Sequence, residues 1–150
     1  MSRISWEEFF MEMARLAACR STCLRRRVGA VLVKDNRAIA SGYNGPPSEA
    51  AHCADLGGCL REKLGVAPGE RQELCRALHA EQNAILQLAI TGLSGIGATL
   101  YVTHHPCFTC AKMIVQLGVR RIVYAEGYPD EFAAKFLKEA GVEVCRYVSS

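Results

Sequence analysis

The sequence predicts a three-layer α/β/α sandwich built on one mixed five-stranded sheet, as a single domain over residues 1–150. Three observations carry that expectation. Helical and strand periodicities alternate in the order α-β-β-α-β-α-β-α-β, the pattern of a sheet covered by helices. The first two strands are separated only by a short polar turn, so they pair antiparallel and make the sheet mixed. A chain of 150 residues, half of them hydrophobic, is also long enough to fill one core.

The elements follow in order. Ser5-Trp6-Glu7-Glu8 has the form of a capping box, in which Ser5 and Glu8 each satisfy an orphan helix amide. Behind it Phe9, Phe10, Met13, Leu16 and Ala17 recur at helical spacing, predicting an amphipathic helix to about Thr22. Val28 to Val33 is a short β-rich apolar run. Lys34-Asp35-Asn36-Arg37 turns the chain, and Ala38 to Ser41 returns as its partner. From Gly42 to about Gly69 periodicity fades while Gly, Pro and Cys accumulate; so long a loop is usually functional or internally tied down. A helix is predicted from His79 to Ile90, ended by Gly92, then a strand from Thr99 to Thr103. Pro106 opens the next helix, to about Leu117, and Gly118 stops it. Arg121 to Tyr124 reads as a strand, Asp130 to Ala140 as a helix before Gly141, and Glu143 to Val148 as the last strand.

Eight cysteines demand a reason. A disulfide framework needs an oxidising compartment, and the start of the chain lacks the basic segment and apolar run of a signal peptide. No stretch reaches the roughly 18 apolar residues of a membrane helix. The expectation is a cytoplasmic protein whose cysteines are thiols or metal ligands. The net charge of +3 is too small to argue for a general nucleic-acid binder.

Two short motifs stand at two predicted helix starts, His79-Ala80-Glu81 and Pro106-Cys107-Phe108-Thr109-Cys110. Catalytic zinc takes three protein ligands and keeps a fourth position for water. Cys107 and Cys110, three apart in a first helical turn, project both sulfurs to one side, and the positive helix end favours thiolate. His79 completes a Cys₂His set, in which zinc brings bound water to a pKa of roughly 7. Glu81, two residues from His79, reads as a proton carrier serving water, a ring nitrogen and departing ammonia, and not as a fourth ligand. Alone, a Cys-x-x-Cys also fits a redox pair or a structural half-site. Together the motifs form the general signature of zinc deaminases, H-x-E…P-C-x-x-C.

On these residues the sequence resembles the deoxycytidylate (dCMP) deaminases of the cytidine deaminase superfamily. The likeness runs through Val28-Gly29-Ala30-Val31, Gly42-Tyr43-Asn44-Gly45, His79 to Ile85, Thr99 to Thr103, Pro106 to Lys112, and Gly118 with Arg121-Ile122-Val123-Tyr124. It implies a cytidine deaminase-like fold and hydrolysis of dCMP to dUMP and ammonia, supplying deoxynucleotide for thymidylate. It further implies that Asn44 contacts the sugar and that the Ala80 backbone reads the pyrimidine edge. Tyr128 would lie beside the substrate, and Arg26 or Arg27 would meet the phosphate. The run Arg25-Arg26-Arg27 also fits a solvated charged face, and Tyr128 a sheet-edge aromatic. The same resemblance implies a homo-oligomer, hexamer or dimer. It also implies regulation by dCTP, with Mg²⁺, and by dTTP, at Gly42, Tyr43, Asn44 and Gly45.

Six further cysteines remain. Ordering the long loop costs entropy, which a structural metal offsets. Some deoxycytidylate deaminases carry a second zinc there, with ligands at positions matching Cys23 and Cys53 and a histidine nearby. No histidine stands between Cys53 and His79, so Cys75 and Cys59 complete an expected Cys₄ zinc, with His52 or Asp55 as substitutes for one member. Some of these thiols fit equally as small buried hydrophobes. Cys19 and Cys145 read as core residues. The competing functions are deamination of another base, in a cytidine nucleoside or in transfer-RNA adenosine, and a non-catalytic deaminase-fold binding or competence-associated protein. Glu81 separates the last of these from an enzyme, because a structural site has no use for a positioned carboxylate.

Overall fold

The computed structural model describes residues 1–149. Its sheet has the strand order β2-β1-β3-β4-β5. These strands are β1 (Gly29–Lys34), β2 (Arg37–Tyr43), β3 (Thr99–His104), β4 (Arg121–Glu126) and β5 (Glu143–Arg146). β1 runs antiparallel to both β2 and β3, whereas β3, β4 and β5 are parallel to one another. The mixed sheet is therefore as expected. Asp35 and Asn36, with φ of 52° and 56°, form the two-residue turn whose left-handed conformation suits a twisted hairpin.

Helices cover both faces. On one side α1 (Trp6–Ala18) packs Phe10, Met11 and Ala14 against Val31, Val33, Tyr101 and Val123. The other side receives α3 (Ala80–Thr91), α4 (Phe108–Leu117) and α5 (Glu131–Glu139). There Ala84, Leu88, Ala111, Ile114 and Leu137 meet Ala30, Leu32, Leu100, Val102 and Ile122. Along β1 and β3 consecutive residues alternate between the two cores, the period-two signature of a strand buried on both sides. Arg121 at the start of β4 pairs with Glu7 of α1, which pins the first helix across the sheet.

Several sequence expectations need correction. α1 ends at Ala18, not near Thr22, because the chain must turn away to enter β1. Of the expected capping box the Ser5 half is present, its hydroxyl accepting the Glu8 amide at 3.1 Å. Cys19, the residue after α1, is exposed and not in the core, and Cys145 is only partly buried, its thiol facing Glu143. The long loop also holds more structure than periodicity indicated: a 3₁₀ turn Cys53–Leu56, the short α2 (Leu60–Lys63), and a second 3₁₀ turn Gln72–Leu74. Among the described residues no helix is long and apolar enough to cross a membrane.

Candidate active site

β3 and β4 end on the same edge of the sheet, and their carboxyl ends open the crevice in which α/β proteins bind ligands. α3 and α4 begin there. His79 is the N-cap of α3 and Cys107 the N-cap of α4, each in extended conformation just outside its helix. Cys110 lies one turn into α4 and is fully buried. The Gln82 side chain accepts the His79 amide at 2.7 Å, fixing the start of α3.

This arrangement brings His79 Nδ1 to 3.6 Å from Cys107 Sγ and 3.3 Å from Cys110 Sγ. Tetrahedral bonds of about 2.3 Å to sulfur and about 2.0 Å to nitrogen separate those atoms by about 3.6 Å, so the trio fits zinc. Among the described residues it is the only set of three or more His, Cys, Asp or Glu ligand atoms lying within 4.8 Å of one another. The Cys107 thiol is held down to about 4, chiefly by the hydrogen bond with Cys110 and then by His79. The same contact and burial push the Cys110 thiol up. Glu81 is only 4% exposed, within hydrogen-bonding reach of Cys110. Burial raises its carboxyl above the ordinary range.

The Gly42–Gly45 segment acts as a clasp on α3. A Cβ on Gly42 would stand 2.3 Å from the Ala80 carbonyl oxygen, so only glycine permits this approach. Asn83 donates to the Tyr43 carbonyl at 2.6 Å, and Gly45 pairs with Leu78, the residue before His79. The Asn44 side chain accepts from the Val28 amide at 2.8 Å and donates to the Arg26 carbonyl at 2.7 Å. Asn44 thereby holds the arginine segment at the crevice rim. Arg26 and Arg27 are exposed, and Tyr128, beyond β4, is 96% exposed. The Ala80 side chain is buried where α3 begins.

A further chain of contacts escaped sequence reasoning. Thr103 Oγ1 accepts the Gly29 amide at 3.2 Å, which leaves its hydroxyl proton for His104 Nδ1 at 2.9 Å. His104 Nε2 then donates to Glu126 at 3.3 Å. Burial, and next the charge of Arg26, push the His104 imidazole down, in keeping with this neutral tautomer. The signal available was a Thr-His pair at the end of a strand and a carboxylate at the end of the next, whose pairing in register spacing alone cannot show.

Of the four expected structural ligands, Cys53, Cys59 and Cys75 line one cavity of about 200 Å³ with Arg61 and Arg76. Burial raises the Cys53 thiol, with the neighbouring Cys59, Cys75 and Cys23 as lesser causes. Cys23 does not line the cavity, and no three of the four sulfurs lie within 4.8 Å of one another. His52 Nδ1 lies 2.5 Å from Thr22 Oγ1, and the His52 amide donates to Asp55.

Fold and site together define the class: a deaminase-fold domain with a Cys₂His site of zinc type. The chain belongs to the cytidine and deoxycytidylate deaminase family, whose zinc-binding region matches residues 4–126. It is 46% identical to the deoxycytidylate deaminase of Schizosaccharomyces pombe over 97% of this chain and 45% of that one. The ComE operon protein 2 of Bacillus subtilis is also 46% identical, over 96% of this chain and 72% of that one. The dCMP deaminase of cyanophage S-TIM5, solved with dCMP and dUMP, superimposes with a TM-score of 0.80 at 34% identity. That likeness covers 98% of this chain and all of the phage one. The chain spans less than half the length of the fission-yeast relative.

Proposed function

We propose that this chain catalyses hydrolytic deamination of dCMP to dUMP and ammonia. The observation that carries the proposal is the buried Glu81 carboxyl set against the cluster of His79, Cys107 and Cys110. Zinc would be held by His79 Nδ1 and the sulfurs of Cys107 and Cys110, and would supply an activated water and a Lewis acid. Glu81 takes a proton from the attacking water, delivers it to the ring nitrogen beside the amino group, and passes a second to the leaving ammonia. Its burial suits both duties, because a carboxyl raised above its ordinary range takes up and holds a proton more readily.

Substrate recognition falls to residues on the same rim. The Ala80 backbone reads the pyrimidine edge, Asn44 contacts the sugar, Arg26 or Arg27 meets the 5′-phosphate, and Tyr128 lies beside the nucleotide. The exposed arginines and tyrosine are free to do this without breaking a core. The proposal extends to a Cys₄ structural zinc on Cys23, Cys53, Cys59 and Cys75, supported by three of the thiols lining one cavity. It extends also to dCTP with Mg²⁺, and dTTP, acting at Gly42, Tyr43, Asn44 and Gly45. A ligand displacing that clasp would move Leu78 and with it His79. The catalytic unit is the single domain 1–150, working as a cytoplasmic homo-oligomer, hexamer or dimer.

Ammonia release from dCMP, CMP, deoxycytidine and dCTP, each with and without added dCTP, tests the substrate. Turnover confined to dCMP is expected. No turnover on any of the four by zinc-loaded protein would sink the proposal and point to another base or a nucleic acid.

A further inference from the structure

His104 ends β3 three residues before Cys107 and takes no part in the deamination chemistry proposed above. Side chains alternate between the faces of a sheet. Val102 and Tyr124, register partners on β3 and β4, belong to the core beneath α3 and α4. The next partners on that face are His104 and Glu126, which stand at the crevice edge beside the starts of the two helices. The segment carrying Arg26 reaches the same edge from β1. There the Gly29 amide donates to Thr103 Oγ1, and the Asn44 side chain fastens the Arg26 carbonyl. Two charged groups act on the imidazole: Arg26 opposes its protonation, as burial does more strongly, and Glu126 favours it. Arg146 of β5 turns instead to the Gly127 carbonyl at 3.2 Å.

The partners of His104 serve both of its protonation states. The Thr103 hydroxyl donates to a neutral Nδ1 and accepts from a protonated one, while Glu126 accepts from Nε2–H in either case. The Glu126 side chain is 64% exposed, so it follows the ring without disturbing the core. Arg26 is left to bias the choice, and its own charge is open to solvent. A dianionic phosphate placed on Arg26 cancels that charge and, like Glu126, favours the imidazolium.

We infer that His104 is a specificity-determining residue for the 5′-phosphate, taking one proton from solvent as the phosphate settles on Arg26 and adding an attraction that a nucleoside cannot use. The inference rests on the reading above that the arginine segment meets the phosphate, and takes Arg26 as the arginine concerned. The proton returns to solvent when the product nucleotide leaves, so the reaction itself gains and loses nothing. Linkage makes phosphate binding tighter as pH falls through the window in which free His104 is neutral and bound His104 is charged. One proton changes affinity by at most about tenfold per pH unit. The second ionisation of the phosphate, near about 6, is common to parent and variants and cancels when they are compared.

The test uses the full zinc-loaded chain. In a Glu81→Gln background, where dCMP stays intact, calorimetry in buffers of different ionisation enthalpy counts the protons taken up on binding near neutral pH. Uptake with dCMP should exceed that of the same protein carrying His104→Asn, and deoxycytidine should show no such difference. In the active enzyme, the ratio of kcat/KM for dCMP to that for deoxycytidine should fall roughly three- to tenfold as pH rises from about 6.5 to 8. Taking the ratio removes the titration of the catalytic centre, which both substrates share. His104→Asn should lower the ratio at the acid end and flatten its slope. His104→Lys, a fixed cation, should restore the ratio while staying flat, which a merely structural role would not produce. Equal proton uptake and equal slopes in the parent and His104→Asn would overturn the inference. Arg26→Met and Arg27→Met separate its failure from that of the underlying reading. If neither weakens dCMP binding, the phosphate reading falls and takes the inference with it. If Arg27→Met alone does, the reading stands and the inference falls. Should His104→Asn fail to fold, Glu126→Gln must reduce proton uptake for the inference to survive. Should deoxycytidine not turn over, the dCMP calorimetry decides by itself.

Discussion

Glu81 owes its place to local structure: it follows the N-cap His79 by two residues, so α3 turns its carboxyl inward beside the thiols that His79 faces. A buried acid there is a liability for stability, because a charged carboxylate is poorly solvated and only the metal centre compensates it. Glutamine keeps the shape and loses the proton. Glu81→Gln is therefore expected to retain zinc at parental stoichiometry while deamination falls by about 10²–10⁴-fold. Steady-state turnover beside elemental analysis checks this, and activity within a few-fold of the parent would remove Glu81 from the proton path. His79, Cys107, Cys110 and Glu81 were all legible in the sequence, since helix starts and i, i+3 spacing fix their directions without long-range information. Thr103, His104 and Glu126 were not, because their contact depends on the register of two strands separated in sequence.

At the scale of elements, two glycines let helices press on the first hairpin from opposite faces. A Cβ on Gly29 would lie 1.9 Å from the Ala14 carbonyl oxygen of α1, and one on Gly42 would meet the Ala80 oxygen and Ala84 nitrogen of α3. In both cases the obstacle is backbone, which cannot rotate aside. Each glycine-to-alanine change should cost about 1–3 kcal/mol of stability through forced separation. Their second effects differ. Gly42→Ala pushes on the helix that carries His79 and should weaken zinc retention, whereas Gly29→Ala pushes on α1 and should leave it intact. Denaturant unfolding with parallel zinc titration separates them, and equal zinc affinity in Gly42→Ala would show that α3 is not held through that contact. Element types and order were readable because buried strands and amphipathic helices have short periods. The clasp of Gly42 to Gly45 on Leu78 was invisible, since a loop crossing more than thirty residues is placed by its far partner and not by its own pattern.

For the whole molecule, the pH response follows from which groups the fold keeps neutral. His104 and His105 sit side by side at the crevice edge, and both imidazoles are pushed down, each first by burial. Around His104 stand Arg26, which opposes its protonation, and Glu126, which favours it. His105 packs edge-on against Tyr124, and its Nδ1 donates to the Pro106 carbonyl at 3.0 Å, with Asp130 nearby favouring its protonation. The unfolded chain protonates both near the ordinary histidine value of about 6.5, while the folded chain resists until lower pH. Over that window the unfolded state binds more protons. Stability contributed above about pH 6.5 is therefore lost as pH falls through the depressed folded values. Replacing both residues by asparagine removes this uptake. The variant is expected to show a flatter decline in unfolding free energy from pH 7.5 to 5.5 than the parent. Acid release of zinc by protonated thiols is common to both proteins, so the difference between the two curves isolates the imidazoles. Parallel curves would mean that the histidines titrate alike in folded and unfolded chains. The Thr103–His104–Glu126 contacts would then do no more than decorate the rim that they otherwise hold in register with β1.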